Sequence, residues 1–302
     1  MTSTLQPRAV LVTGASSGIG RATALDLARR GYRVFAGVRR DADAESLRAA
    51  APSGIECVLL DVTEAESRAR ARAQLEAAVG DNGLHGLVNN AGVSLSGPIE
   101  AVDLDVMRNQ FEVNVIAVVA MIQTFTPLLR KARGRIVNVS SMGGFVSAPF
   151  HGPYCATKFA LEAITDSLRH ELRPFQMEVS LIQPGSVDTQ IWAKGTEFSR
   201  QVIEQFSPET RALYGEAATR SLRAAHSTAA RAVSPDVVAA LIAHALSAKR
   251  PKTRYVAGAD ARLVKVLRWM LPDRALDYCV QLALRADSRS ASPQQIAPVA
   301  KS

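Results

Sequence analysis

A chain of 302 residues, 47% of them hydrophobic, can bury one sizeable α/β core without disulfides or metal. Its three cysteines, Cys57, Cys155 and Cys279, are too few and too irregularly spaced for a disulfide framework or a metal cluster. The 36 Lys and Arg outnumber the 28 Asp and Glu for a net charge of +8, but they form no dense block, which argues against a nucleic-acid partner.

The basic balance instead suggests a solvated surface with a site for a phosphorylated ligand. The segment from Met1 to Arg8 lacks the apolar run of a signal peptide. No stretch supplies the ~18 uninterrupted apolar residues of a membrane span. The expectation is a soluble protein in a reduced, cytoplasmic setting, with no metal site.

In chain order, short apolar runs alternate with longer segments of helical period. Val10–Val12 reads as a first strand, followed by a helix near 18–30. Between them lies Thr13-Gly14-Ala-Ser16-Ser17-Gly18-Ile19-Gly20, a turn whose glycines let the backbone approach a pyrophosphate held at the helix N-terminus. The second strand, Arg33–Ala36, runs on to Val38, where an enzyme preferring NAD would place a carboxylate for the ribose 2′-hydroxyl. Arg39 and Arg40 follow instead. A guanidinium can hold a 2′-phosphate by bidentate, charge-assisted bonds, so the cofactor expected is NADP(H), with Arg39 the main contact.

A third strand is read at Cys57–Leu60, a helix at 64–80, a fourth strand at Leu84–Val88 and a long helix over 104–131. Asn114 interrupts the apolar face of that helix, a costly place for an amide without partners. Arg135–Val139 is the fifth strand and ends at Ser140 and Ser141. The helix over 153–173 opens with Tyr154 and Lys158, one turn apart on one face. An adjacent ammonium favours a phenolate, so this pair can pass a proton, Tyr154 acting as acid in reduction and base in oxidation.

Strand Glu178–Ile182 leads to Pro184-Gly185. The strand rhythm then stops over 190–233, an Ala-rich, charged and helical insert on the substrate side. A helix near 235–247 and a strand at Arg254–Val256 resume it. The 260–286 region reads as a helical extension containing the basic, amphipathic Arg262–Pro272, and 288–302 as a disordered tail. Packing of that extension on the domain or on a neighbouring subunit is expected before contact with a membrane surface. The whole, residues 1–287, reads as one doubly wound Rossmann-type domain: a mostly parallel, seven-stranded sheet with helices on both faces.

The glycine spacing departs from GxGxxG and resembles the TGxxxGxG of the short-chain dehydrogenase/reductase family. Further motifs over about residues 8–190 carry the same resemblance. Asn89-Asn90-Ala91-Gly92 resembles the family's NNAG, which lines the cofactor site. Asp61-Val62 resembles the pair that meets the adenine ring. Pro184, Gly185, Val187 and Thr189 fall in a PGxxxT-like segment that holds the nicotinamide carboxamide. The resemblance assigns Ser141, by its spacing to Tyr154, to polarise the substrate oxygen in preference to Ser140. It assigns Asn114 a water linking Lys158 to solvent, completing an Asn–Ser–Tyr–Lys tetrad.

Pro149 to Leu168 looks like the branch containing steroid and retinol dehydrogenases. With Met142, Phe145, Phe150 and Trp192 as apolar lining beside Ser94-Leu95, this implies a hydrophobic secondary or retinol-like alcohol, or its carbonyl. A 3-oxoacyl thioester ketoreductase and a non-catalytic cofactor sensor are the alternatives. The resemblance also implies a homodimer or homotetramer through the 104–131 and 153–173 helices.

Overall fold

The structure, a computed structural model, describes residues 7–51, 53–189, 197, 200–229 and 232–290, with backbone alone for 222–229 and 283–290. Seven strands are formed: β1 (Ala9–Val12), β2 (Arg33–Val38), β3 (Ile55–Leu59), β4 (Gly86–Asn89), β5 (Arg135–Val139), β6 (Glu178–Pro184) and β7 (Arg254–Ala257). They make one sheet in the order β3-β2-β1-β4-β5-β6-β7, and every pairing in it is parallel. Strand order reverses between β1 and β4. In such sheets ligands bind outside the carboxyl ends of the strands at that reversal.

The central strands are apolar on both faces because helices cover both. On one face α1 (Gly18–Arg29), α2 (Asp41–Ala50) and α8 (Pro235–Ser247) pack on a core containing Val10, Val34, Val88 and Ile182. On the other, α3 (Ala65–Val79), α5 (Ala117–Ala132) and α6 (Gly152–Leu172) cover Leu11, Phe35, Leu87 and Ile136. Two elements differ from the sequence expectation. Helix α2 was not foreseen, because only Ala44 and Leu47 of its ten residues are buried. The single helix expected over 104–131 is α4 (Leu104–Phe111), a π-helical turn at Glu112–Ile116, and α5. π turns interrupt the regular i→i−4 ladder and occur frequently at functional sites.

The combined segment Leu104–Ala132 is long and apolar enough, at a mean hydropathy of 1.6, to meet a composition test for a membrane span. Its apolar residues have another use here. Met121, Phe125, Leu128 and Leu129 are buried in the core against the sheet.

Helix α7 (Pro208–Ala229) lies in the expected insert. Beyond β7, α9 (Ala259–Met270) and α10 (Asp273–Ser290) form the extension, α10 running past residue 288, where a tail was expected. Residues 291–302 lie outside the described residues. Helix α9 meets the domain along one side, through Asp260 at the Ser186 amide and Lys265 at Gln183, and leaves its other side exposed. Only Ala261 is buried in it, while Leu263, Val266, Trp269 and Met270 are exposed.

Candidate active site

At the end of β1 the glycine loop is shaped by two left-handed backbones and one close approach. Gly14 has φ 64° and Gly18 φ 54°, conformations that L side chains rarely adopt. Gly20 has no such need, but a Cβ there would lie 2.2 Å from the Gly14 carbonyl oxygen and 2.5 Å from Asn90 Nδ2. That Nδ2 donates to the Thr13 and Gly14 carbonyls at 3.0 and 3.2 Å. Thr13 Oγ1 accepts from the Asn90 and Ala91 amides, both at 3.0 Å. Asn90 and Ala91, expected with Gly92 to line the cofactor site, thus lock the glycine loop from the end of β4. One strand residue earlier, Asn89 Nδ2 donates to Asn138 Oδ1, whose own Nδ2 donates to Thr165 Oγ1, both at 2.9 Å.

The residues fit a dinucleotide. Ser17 is the N-cap of α1 but makes no side-chain cap hydrogen bond, which leaves the Gly18, Ile19 and Gly20 end of the helix available to an anion. Thr189 Oγ1 is buried with no partner among the described residues, and its Cγ2 lies 3.0 Å from where a Gly18 Cβ would sit. A polar atom orphaned in this way, across the loop from the pyrophosphate cradle, suits a ligand with its own donor or acceptor.

On the expected adenosine side, Val62 is buried. Asp61 accepts from the Thr63 amide at 2.9 Å and its hydroxyl at 2.6 Å. Burial opposes the Asp61 charge. The Thr63 bonds and the positive charges of Arg39 and Arg68 outweigh it and hold the carboxyl below its ordinary value. The two arginines after β2 part company. Arg40 makes a bidentate pair with Asp43, both bonds 2.9 Å, whereas Arg39 is exposed and its field reaches Asp61.

The tetrad positions come together at the carboxyl end of β5. Ser141 Oγ accepts from the Gly143 amide at 3.1 Å, and the Tyr154 ring and Ser141 Oγ flank the same glycine, 3.4 and 3.5 Å from a Cβ placed there. Ser140 points elsewhere. Its buried Oγ lies toward the space a Gly144 side chain would take, so the two serines have different neighbours. Lys158, 7% exposed, donates to the Val139 carbonyl at 2.9 Å and sits 5.7 Å from the centre of the Tyr154 ring.

The electrostatics differ from the sequence expectation, in which the ammonium lowers the phenol. Burial pushes Tyr154 up to about 12, opposed by the Ser141 hydroxyl. Burial lowers Lys158 to about 8, with Glu162 acting in the opposite sense. At both residues desolvation of the charged form is the largest influence.

Asn114 is 1% exposed in the π turn. Both amide protons are committed, to the Val93 carbonyl at 2.8 Å and Thr157 Oγ1 at 3.1 Å, and Oδ1 accepts from the Val93 amide at 2.9 Å. The side chain therefore braces the segment after β4 against α6.

After β6, Gly185 and Val187 are held by a residue that sequence reasoning missed. Asp260 accepts from the Ser186 amide at 2.8 Å, and its carboxylate fills the space where side chains at Gly185 or Gly258 would lie. The separation of 74 residues between Asp260 and Ser186 leaves no local signal. Val187 itself is buried and bridges to Val233. Of the apolar lining, Met142 is half-buried in the turn after Ser141. Phe150 takes φ 68° just before α6, an unusual backbone for an aromatic residue and one often found beside functional sites. Leu95 is fixed by Gln110 Oε1, 2.6 Å from its amide. Trp192 lies outside the described residues.

Comparison with known proteins extends these observations. Residues 8–199 match the family model described as short chain dehydrogenase. Retinol dehydrogenase 16 of Mus musculus is 39% identical over 280 residues, covering 91% of this chain and 88% of the relative. The NADPH-dependent 3-dehydrocapnine reductase of Ornithobacterium rhinotracheale is 35% identical over 275 residues, covering 89% and 95%. A short-chain dehydrogenase structure from Streptomyces avermitilis superposes with a TM-score of 0.72 at 29% identity, covering 97% of this chain and all of that one. The sheet order, the loop locked by Asn90 and these matches have one common explanation: this chain belongs to the short-chain dehydrogenase family, as an oxidoreductase that acts on CH–OH groups with a nicotinamide cofactor.

Proposed function

We propose that the protein is an NADP(H)-dependent oxidoreductase interconverting a hydrophobic secondary or retinol-like alcohol and its carbonyl, with Tyr154 as acid and base. The observation that carries this reading is the convergence of Ser141 Oγ and the Tyr154 phenol on Gly143, with Lys158 buried behind them. The bound cofactor supplies or removes the hydride, and the protein's residues do the rest. Ser141 holds and polarises the substrate oxygen. Tyr154 gives that oxygen its proton in reduction and takes it back in oxidation. Lys158 places a positive charge beside the phenol, stabilising the phenolate left after transfer. A panel of steroids, retinoids, aliphatic alcohols and acetoacetyl thioesters, followed by NADPH absorbance, tests the substrate class. Turnover confined to the thioesters would favour the ketoreductase alternative.

Arg39 supports the preference for NADP(H), because it stays exposed at the end of β2 while Arg40 is occupied by Asp43. The NADPH dependence named for the Ornithobacterium rhinotracheale reductase is in keeping with it. Arg39→Ala should lower kcat/KM for NADPH by about tenfold or more, the worth of one charge-assisted contact, and leave NADH unchanged. Equal losses with both cofactors would refute the assignment.

Contact with an anionic lipid surface is the second element of the reading. Trp269 is 87% exposed and Met270 64%, with Leu263 and Val266 also exposed on the same helix; Arg262 and Arg274 are exposed close by in sequence, and Arg268 pairs with Asp273. Apolar side chains within a basic rim suit the interface of an anionic bilayer. The wild type should co-float with anionic liposomes, and Trp269→Ser/Met270→Ser should not. A wild type that stays at the bottom of the gradient sinks the idea. A homodimer or homotetramer is also proposed, through exposed Leu104, Ile116 and Phe159.

A further inference from the structure

One buried carboxylate has no part in the chemistry described above. Glu162 lies on α6 one turn beyond Lys158, on the same face as Tyr154 and Lys158, and is 9% exposed. Its two oxygens accept from Gln183 Nε2 on β6, both at 2.9 Å, and one of them accepts from Arg254 Nε on β7 at 3.0 Å. The Gln183 amide cannot turn round, because Lys265 on α9 donates to its Oε1 at 2.7 Å. Arg254 is fixed from its other side by Asp166 at 2.5 Å, which also receives Arg169. Glu162 is thus bonded directly from β6 and β7, and α9 fixes the Gln183 amide that faces it.

The clamp abuts the reacting end of β5. Glu162 Oε1 and Ser140 Oγ both crowd the space where a Gly144 side chain would lie, at 3.1 and 2.8 Å from its Cβ. Ser140 follows Val139, whose carbonyl anchors the Lys158 ammonium. We propose that Glu162 is a positioning residue: oriented by Gln183 one helical turn from Lys158, beyond ion-pair distance of it, its carboxylate supplies the counter-charge that keeps the buried ammonium protonated beside Tyr154. A buried ammonium without a counter-charge sheds its proton readily, and an opposite charge nearby restores it. Glu162 is the group that acts against desolvation at Lys158. The charged and titratable groups facing the pair are Tyr154 and Asp166 on α6, Arg254 on β7 and Lys265 on α9. Of these, Arg254 opposes Glu162, because it draws on the same carboxylate while adding a second positive charge.

The two residues should therefore shift Lys158 in opposite directions. The first arm needs no activity: in the cofactor-free protein carrying 13Cε-lysine, the Lys158 resonance is assigned by its loss in Lys158→Arg and followed against pH. Glu162→Gln should move the Lys158 titration down by about one unit or more, and Arg254→Gln should move it up. The second arm rests on the proposed Tyr154–Lys158 chemistry. In Glu162→Gln the high-pH limb of carbonyl reduction should shift down by the same amount. At about pH 6, well below the lysine's titration, the rate should stay near wild type.

A Glu162 that only held the fold together would lower the rate alike at every pH and leave the Lys158 titration in place, and either result overturns the proposal. If Glu162→Gln does not fold, the upward shift in Arg254→Gln decides, and its absence overturns the proposal too. If no carbonyl is turned over by the wild type, the proposed function fails, while the resonance titration still passes or fails Glu162.

Discussion

Tyr154→Phe should lower carbonyl reduction by about 10²–10⁴-fold, the range expected for loss of a positioned acid, with NADPH affinity unchanged. The substitution removes one oxygen and keeps the ring that packs over Gly143 and beside Lys158. Nothing in the cradle built by Gly14, Gly18, Gly20 and Asn90 depends on that oxygen. The wild-type profile can be argued as well. With burial holding Tyr154 near 12, the phenol is protonated throughout the neutral range and ready to donate. Lys158, near 8, carries its charge below that pH and loses it above. Reduction should therefore be level below about pH 8 and decline above it, because the phenolate left after proton transfer then lacks its cation. Steady-state rates across pH, with NADPH binding followed by fluorescence, measure both effects. Substantial turnover by Tyr154→Phe would remove Tyr154 from the proton-transfer role.

What was legible in the sequence was whatever chemistry ties to local spacing. The glycine loop could be read because a tight turn before a helix needs glycine at set positions, and Gly14 and Gly18 do adopt left-handed backbones. Tyr154 and Lys158 could be read because a helix puts residues four apart on one face. Ser141 could be preferred to Ser140 only through the spacing to Tyr154 that the family resemblance supplies, because alternation sets the two apart without saying which faces the substrate. The parallel sheet could be read from strands apolar on both faces.

The remainder depends on contacts distant in sequence. Asp260, which pins the segment after β6, is 74 residues from the amide it holds. Glu162 resembled one more polar position on α6 until β6, β7 and α9 brought Gln183, Arg254 and Lys265 around it. The π turn carries apolar residues on either side of Asn114, so periodicity alone joined α4 to α5. The direction of the pKa shifts was also hidden. Pairing an ammonium with a phenol suggested a lowered phenol, but the depth of burial that reverses it is a property of the folded chain.

Gly20→Ala isolates the glycine loop as the determinant of cofactor binding. At Gly14 a side chain would suffer both from φ 64° and from the Ala91 backbone 2.9 Å away, so loss of function there would have two causes. Gly20 lies in ordinary helical backbone at the start of α1, where alanine is the better helix former. Its only obstacle is space. A methyl 2.2 Å from the Gly14 carbonyl oxygen cannot be accommodated by a side-chain rotation, because that oxygen is backbone. Either the loop or the helix start must move, and the Asn90 bonds to the Thr13 and Gly14 carbonyls go with it.

Overpacking of this kind costs about 1–3 kcal/mol of stability. The displaced loop should also weaken NADPH binding by about 100-fold, equivalent to ~2.7 kcal/mol. Gly31→Ala separates the two effects. That residue has φ 82° but open space around it, in the turn between α1 and β2. It should cost about 1 kcal/mol through backbone strain and leave the cofactor affinity intact. Thermal unfolding and NADPH titration on both variants supply the comparison. Equal affinities for Gly20→Ala and wild type would show that the loop tolerates displacement, and that the locked geometry between β1 and β4 does not set cofactor binding.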